Sequence, residues 1–385
     1  MNPHLPTPAP PGTAEASPGR RRRIGGRWAL ALALAAVVAL AAGCGGSSDQ
    51  ATGTTATAGA TASAQQTVTI TDQLGRQVEI PRQVDRVVGL LPIPNTILSR
   101  LALDKMASID KVYLQRYIGA PYTSAQTRQK LKGLPVIGPW FMGVNAESVL
   151  AANPDVVVDM VDDPKVESLQ KQLGVPVVAV SKSPIADYEG MIRILGQVVG
   201  DEQRANEMAD FWASRIAQVK QAAAKIPESE RPSVVYLGTH GTLLQTPGMD
   251  TVFGSIIELA GGRNVTTDLS GQAHSETIPV TIEQIAKWDP DVIIAETTQA
   301  KHEIMTRPEW SGLRAVRDKR VYVPLQFADL DMVQAILGLR WTQEVLSSGD
   351  PDAAKRAVAD DMRRFYDLFY GYQITDAQLA EEQHL

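Results

Sequence analysis

Two stretches of this chain, Glu147–Val158 (ESVLAANPDVVV) and Glu283–Ile294 (EQIAKWDPDVII), repeat one pattern at one spacing. Each has a Glu in the first turn of a helix, a helix body, and a Pro-Asp pair that closes the helix and opens an apolar run. Asn145 and Thr281 stand where the N-caps belong. Proline cannot continue a helix, and the residue before it is biased away from helical dihedrals, so the pattern marks a passage from helix to strand. A chain carrying this unit twice, far apart, is constrained to two similar α/β lobes.

The rest of the chain supports that division. VTITDQLGRQVEIP alternates apolar and polar positions around Leu74-Gly75 and reads as a hairpin. RVVGLLP, VVVDMV (156–161) and VPVVAV (175–180) are short apolar runs, each fit for a strand buried on both faces. NTILSRLAL reads as a helix with Asn95 as its N-cap. Strands alternating with helices predict a mostly parallel sheet. The alternation restarts at SVVYLG (233–238), continues through a helix around Val252–Ala260, and ends with DVIIAE (291–296) and RVYVPL (320–325).

Between the two halves the pattern is helical. Asp187–Val199 reads as one helix, ended by Gly200. Asp201 caps a second, Glu202–Lys225, on which Met208, Phe211, Trp212, Ile216 and Val219 recur at helical spacing. At 1.5 Å per residue this helix is roughly 37 Å long. The tail from Asp352 is helical. The predicted fold class is α/β: two Rossmann-like lobes with mostly parallel sheets, joined by one long backbone helix.

The leader has its own logic. Arg20–Arg23 and Arg27 precede Trp28–Ala42, an apolar run of signal-peptide length and too short for a comfortable membrane span. It ends at Leu40-Ala-Ala-Gly-Cys44, which resembles the lipobox of bacterial lipoproteins, with Ala41 in place of the usual Leu three positions before the Cys. The resemblance implies that Cys44 is lipidated and becomes the mature N-terminus. Gly45–Gln66 is almost entirely Gly, Ser, Thr and Ala, too polar to fold, and as a flexible tether reaches roughly 25 Å. The expected organisation is a signal peptide over residues 1–43, a tether over 44–66, a first α/β lobe over 67–186, a helical segment over 187–231, and a second α/β lobe with a helical tail over 232–385.

Composition excludes several functions. A formal net charge of −6 provides no basic field for nucleic acid. Five His and one Cys argue against a structural metal site built from those residues, and a lone Cys permits no internal disulfide. There is no Gly-rich phosphate loop, G-x-S-x-G elbow or H-E-x-x-H. An enzyme is therefore not expected.

ITDQLGRQVEIPRQVDRVVGLLPIPNTILSRLAL resembles the opening of the periplasmic-binding-protein family that serves ABC importers of siderophores, haem and cobalamin. VIGPWFMGVNAESVLAANPDVVV, VTIEQIAKWDPDVII, WSGLRAVRDKRVYVP and LGLRWTQEVL belong to the same pattern. The ending FYDLFYGYQITDAQL looks like a tail found in a branch usually assigned to iron-compound uptake. The resemblance covers about Thr67 to Leu346. It implies that ligand sits between two lobes bridged by a rigid helix. It also implies that one glutamate per lobe, here Glu147 and Glu283, docks into the permease dimer that works with an ATPase. Acidic residues in a helix's first turn also offset the macrodipole, by about 0.3–1 kcal/mol, and need no partner for that.

In such lobes the cleft is lined by loops at the carboxyl ends of the strands. The expected ligand contacts are Asn95, Tyr117, Trp140 and Phe141 on the first lobe, and His240, His274, Gln326 and Phe327 on the second. Tyr117 and Tyr122 are phenolates that could meet iron, or packed rings. The Asp329/Asp331 pair reads as capping for the next helix. His240 lies in Gly238-Thr-His-Gly241 and is the expected axial ligand if one exists, while no protein-built metal site is expected. The expected histidines all fall on the second lobe, so a bare metal is less suited than a chelate that brings its own coordination sphere. A ferric siderophore ranks first, then a corrinoid or haem, with no intrinsic cofactor. The implied protein is a monomer, lipid-anchored outside the cytoplasm to the outer face of the cell membrane. The rival readings are an extracytoplasmic chelatase-like enzyme and a ligand-sensing lipoprotein.

Overall fold

A computed structural model describes residues 66–138, 143–160, 166–325 and 333–383, without the side chains of Arg116 and Tyr117. They belong to one compact unit. The first lobe opens with the expected hairpin, β1 (Thr67–Thr71) antiparallel to β2 (Gln77–Pro81). Then come β3 (Val87–Gly89), α1 (Pro92–Leu101), β4 (Ile109–Asp110), α2 (Lys111–Tyr117), α3 (Ala125–Lys132) and β5 (Val136–Ile137). The first copy of the repeat supplies α4 (Ala146–Ala151) and β6 (Val156–Met160), followed by α5 (Val166–Leu173) and β7 (Val177–Val180). The sheet runs β3-β6-β7, all parallel, with β4-β5 as a further parallel pair joined to β3 through a Val87–Met106 bridge.

Two helices lead to the second lobe. A 3-10 turn, Ile185–Asp187, precedes α6 (Tyr188–Val199), which Gly200 ends in the left-handed region at φ 76°. The expected cap then holds: the Asp201 carboxylate accepts from Arg204 N as α7 (Glu202–Ala223) begins. At 22 residues α7 is about 33 Å long, slightly shorter than expected because its last residues unwind before Pro227. All five of its periodic apolar residues are buried. Trp212 stacks on Tyr188 at 4.5 Å between ring centroids and donates its indole N–H to Ile185 O at 3.0 Å, fixing α7 to α6 and to the turn before it.

The second lobe contains β8 (Ser233–Leu237), β9 (Gln245–Thr246), α8 (Val252–Leu259), β10 (Arg263–Asn264), β11 (Ile278–Pro279), α9 (Ile282–Trp288) and β12 (Val292–Ala295). After these come α10 (Thr298–Thr306), α11 (Arg314–Arg317), β13 (Val321–Tyr322) and α12 (Ala335–Ser348). Its sheet runs β10-β8-β12-β13, all parallel, with β9 and β11 paired antiparallel beside it. Alternation along β8 divides the core: Val234 and Tyr236 join the large cluster that includes α6 and α7, and Val235 and Leu237 the smaller one that includes residues of α9 and α10.

The tail forms α13 (Pro351–Tyr370) and α14 (Asp376–Glu382). It does more than extend the second lobe. Asp361 pairs with Arg340 of α12 and with Arg215 of α7, at 3.1 and 2.6 Å. At its far end Arg100 of α1 donates to Leu368 O at 2.8 Å, so α13 also grips the first lobe. Among the described residues no helix is long and apolar enough to cross a membrane.

Candidate functional site

Each copy of the repeat folds as expected at its helix start. Asn145 Oδ1 accepts from Ser148 N at 3.1 Å, and Thr281 Oγ1 from Gln284 N at 3.2 Å. Glu147 and Glu283 sit in those first turns with exposed side chains. Its own backbone N–H and the Thr281 hydroxyl hold the Glu283 carboxyl below the usual range, so it stays charged. A helix that feeds a parallel strand starts at the carboxyl end of the sheet. Both glutamates are therefore on the side of their lobes where ligand loops gather.

On the first lobe that side begins where β3 passes into α1. The structure corrects the expected cap: α1 starts four residues earlier, at Pro92, with Leu91 rather than Asn95 at the N-cap and no side-chain cap bond. Pro92 is suited to a helix's first turn, where its missing N–H costs nothing. Asn95 therefore lies inside the helix and is fully buried. Its amide donates to Gly89 O at 3.0 Å and to Asp110 Oδ2 at 2.7 Å, while Asp110 Oδ1 caps α2 through Tyr113 N at 2.8 Å. Burial raises the Asp110 carboxyl, against the pull of those hydrogen bonds. A Cβ on Gly89 would come 2.5 Å from Asn95 Oδ1, so this glycine is needed for the close approach. Asn95 thus braces the lip from beneath.

Tyr122 is a packed ring. It is buried, 4.5 Å from the Tyr370 ring and 5.2 Å from that of Tyr366, and its hydroxyl accepts from Gln334 Nε2 at 3.3 Å. The Tyr117 side chain, Trp140, Phe141, Gln326, Phe327, Asp329, Asp331 and Cys44 lie outside the described residues, so the structure does not place them.

On the second lobe, His240 is exposed at the carboxyl end of β8 in a turn with three left-handed residues: Gly238, His240 and Gly241, at φ 99, 53 and 76°. Glu296, at the end of the neighbouring β12, holds the turn by accepting from His240 N at 3.3 Å and Gly241 N at 2.9 Å. Sequence reasoning missed Glu296. Its signal was an acidic residue ending an otherwise apolar strand, DVIIAE. His274 is 88% exposed, with Nδ1 3.6 Å from Asp250 Oδ2. Among the described residues no group of three or more His, Cys, Asp or Glu could hold a metal.

The lobes meet beside this region. Ile185 N, just after β7, donates to Ser255 Oγ of α8 at 3.3 Å, and Lys182 Nζ lies 3.0 Å from Glu276 Oε1. Lys182 was not among the expected site residues.

Residues 120–324 match the family model described as "Periplasmic binding protein". An uncharacterized ABC transporter substrate-binding lipoprotein of Bacillus subtilis, YvrC, is 26% identical over 66% of this chain and 77% of its own length. The molybdate-binding protein MolA of Haemophilus influenzae is 26% identical over 78% of this chain and 91% of its own. Among solved structures, an ABC transporter solute-binding protein from Sulfurospirillum deleyianum superposes with a TM-score of 0.66, at 24% identity, over 82% of this chain and 99% of its own. An ABC-type Fe3+-hydroxamate transport system protein from Saccharomonospora viridis gives 0.53, at 21% identity, over 73% and 99%. The family model spans more than half of the chain, and the paired devices and twin parallel sheets agree with it: the chain belongs to the periplasmic binding protein family, whose members are transport binding proteins and not enzymes.

Proposed function

We propose that this protein is the substrate-binding lipoprotein of an ABC importer, and that it carries a metal chelate, a ferric siderophore or a related iron compound, between its two lobes. Cys44 anchors it by lipid outside the cytoplasm, and it works as a monomer. Glu147 and Glu283 dock onto the two permease subunits. The observation that carries this reading is the matched pair of exposed glutamates, each in the first turn of the equivalent helix on its own lobe. A two-subunit permease offers two equivalent sockets.

The chemistry of the lips supports a chelate over a bare ion. Among the described residues the histidines fall on one lobe and no group of three or more His, Cys, Asp or Glu could hold a metal, so a naked cation finds no shell of described protein ligands there. A bare oxyanion, such as the molybdate named for MolA, favours free N–H groups at a helix start. Pro92 and Pro94 remove two such donors from α1, and Asn95 N is bonded to Leu91 O at 3.3 Å. A chelate supplies its own coordination sphere and asks for aromatic faces and a few polar contacts, roles we assign to Tyr117, Trp140, Phe141, Gln326 and Phe327, with His240 and His274 at the second lip. Corrinoid or haem is the second choice, because His240 is presented in a strand-end turn where it could serve as an axial ligand.

The test is to purify the mature protein and record the absorption and mass spectra of whatever accompanies it. A chromophoric iron compound is expected at one per chain, chemically unchanged on release and quenching tryptophan fluorescence on return. A ligand consumed by the protein, or a bare oxyanion as the tight binder, would overturn the reading.

A further inference from the structure

The Lys182–Glu276 contact joins the two lobes, and each partner is fixed to its own. On the first lobe, Ser181 N donates to Gln73 Oε1 at 2.7 Å and Ser181 Oγ to Ser183 O at 3.0 Å, which sets the backbone on both sides of Lys182. On the second, Gly248 N donates to Ser275 O at 2.8 Å and Asp250 N to Ala273 O at 2.9 Å, holding the segment that bears Glu276. That packing is so close that a Cβ on Gly248 would overlap the carbonyls of Gln272 and Ala273. Any separation of the lobes must pull this ion pair apart.

The pair is also half out of water. The Lys182 side chain is 14% exposed and that of Glu276 34%. Glu276 Oε2 is buried with no hydrogen-bond partner among the described residues. An ammonium group in such a place is costly unless an anionic oxygen meets it. Lys182 follows β7 at the carboxyl end of the first sheet, the side on which a ligand enters.

We propose that Lys182 is an anion-binding group of the cleft, and that the Glu276 carboxylate holds the place of an anionic oxygen on the ligand. When the lobes part, Lys182 exchanges Glu276 for that oxygen, a carboxylate or catecholate on the rim of the chelate. The protein thereby prefers anionic chelates to neutral ones. This rests on the chelate-binding reading above.

The test compares an anionic ferric tricatecholate with a neutral ferric trihydroxamate, each titrated by tryptophan quenching into wild type, Lys182→Met and Glu276→Gln. Lys182→Met should weaken the tricatecholate about tenfold or more, equivalent to about 1.4 kcal/mol. Glu276→Gln should tighten it several-fold, and neither variant should move the trihydroxamate. Equal shifts for both probes, or no shift for either, overturn the proposal. If wild type binds neither probe, the chelate reading fails by itself, and a ligand-free measurement still decides the ion pair's part. Spin labels at Gln129→Cys and Glu309→Cys, both exposed, report the distance between lobes. Glu276→Gln should broaden that distribution, and an unchanged distribution overturns the exchange.

Discussion

Asp155 and Asp291 are the same staple in the two lobes. Asp155 Oδ2 accepts from Arg86 N at 2.8 Å, just before β3, and Asp291 Oδ2 accepts from Ser233 N at 2.8 Å and its hydroxyl at 2.7 Å, at the start of β8. In each case the Asp of a Pro-Asp pair ties the entry of its strand to that of the neighbouring parallel strand. The residue before each proline, Asn153 or Asp289, takes a left-handed turn at φ 48 or 40°, which Asn and Asp tolerate better than most. An arginine completes each joint: Arg86 donates to Asn153 O at 2.9 Å, and Arg314 bonds Asp289 and Asp291 at 3.2 and 2.5 Å. The repeated device thus has a structural end, at the start of the strands, and a free end carrying Glu147 or Glu283.

That division predicts separable effects. Glu147→Lys with Glu283→Lys should leave ligand affinity at its wild-type value and abolish uptake in cells, while the loss of two first-turn acids costs about 0.3–1 kcal/mol of stability each. Transport at the normal rate would show that the free ends do not dock.

The structural end should matter for stability. Asp291→Ala removes the acceptor for Ser233 N and its hydroxyl and should cost about 1–3 kcal/mol in urea unfolding. Burial raises the Asp291 carboxyl, but the Ser233 bonds and the Arg314 guanidinium outweigh it, so its pKa is lowered. A lowered carboxylate contributes stability above its unfolded pKa, and that contribution is lost as pH falls through the folded value. The difference between wild type and Asp291→Asn should therefore be full at neutral pH and shrink below about pH 4.

Glu382 has the opposite sign. It is buried at the end of α14 and accepts a hydrogen bond from the Tyr366 hydroxyl. Burial pushes its carboxyl up to about 7 from 4.5. The folded chain keeps a proton that the unfolded chain has lost, so stability is full below about pH 4.5 and falls as pH rises through 7, by on the order of 3 kcal/mol. Glu382→Gln should flatten that slope. An unaltered pH profile in denaturant titrations would place the carboxylate in water.

Trp212→Ala should cost about 3–5 kcal/mol, because the ring is fully buried and its loss leaves a cavity between α6 and α7. The variant also leaves Ile185 O, at the crossing between lobes, without its donor. Thermal unfolding checks the size of the loss. A cost under 1 kcal/mol would mean that α6 and α7 close the gap.

The sequence alone determined most of these elements: the short apolar runs became parallel strands, Asn145, Asp201 and Thr281 capped the starts of real helices, and the periodic face of α7 is the buried one. It also marked the repeated devices, whose glutamates the fold leaves exposed. These are local properties, set by periodicities of two and 3.6 residues and by the dihedral limits of Pro and Gly. Only tertiary structure decided what each buried face meets. It drew Asn95 into a helix that Pro92 could start and set Glu296 against the His240 turn. It carried α13 back to Arg100 across 268 positions of chain, and laid Lys182 of one lobe against Glu276 of the other. Side-chain pattern encodes how much of a segment leaves water, but its partner is chosen by the packing of the whole chain.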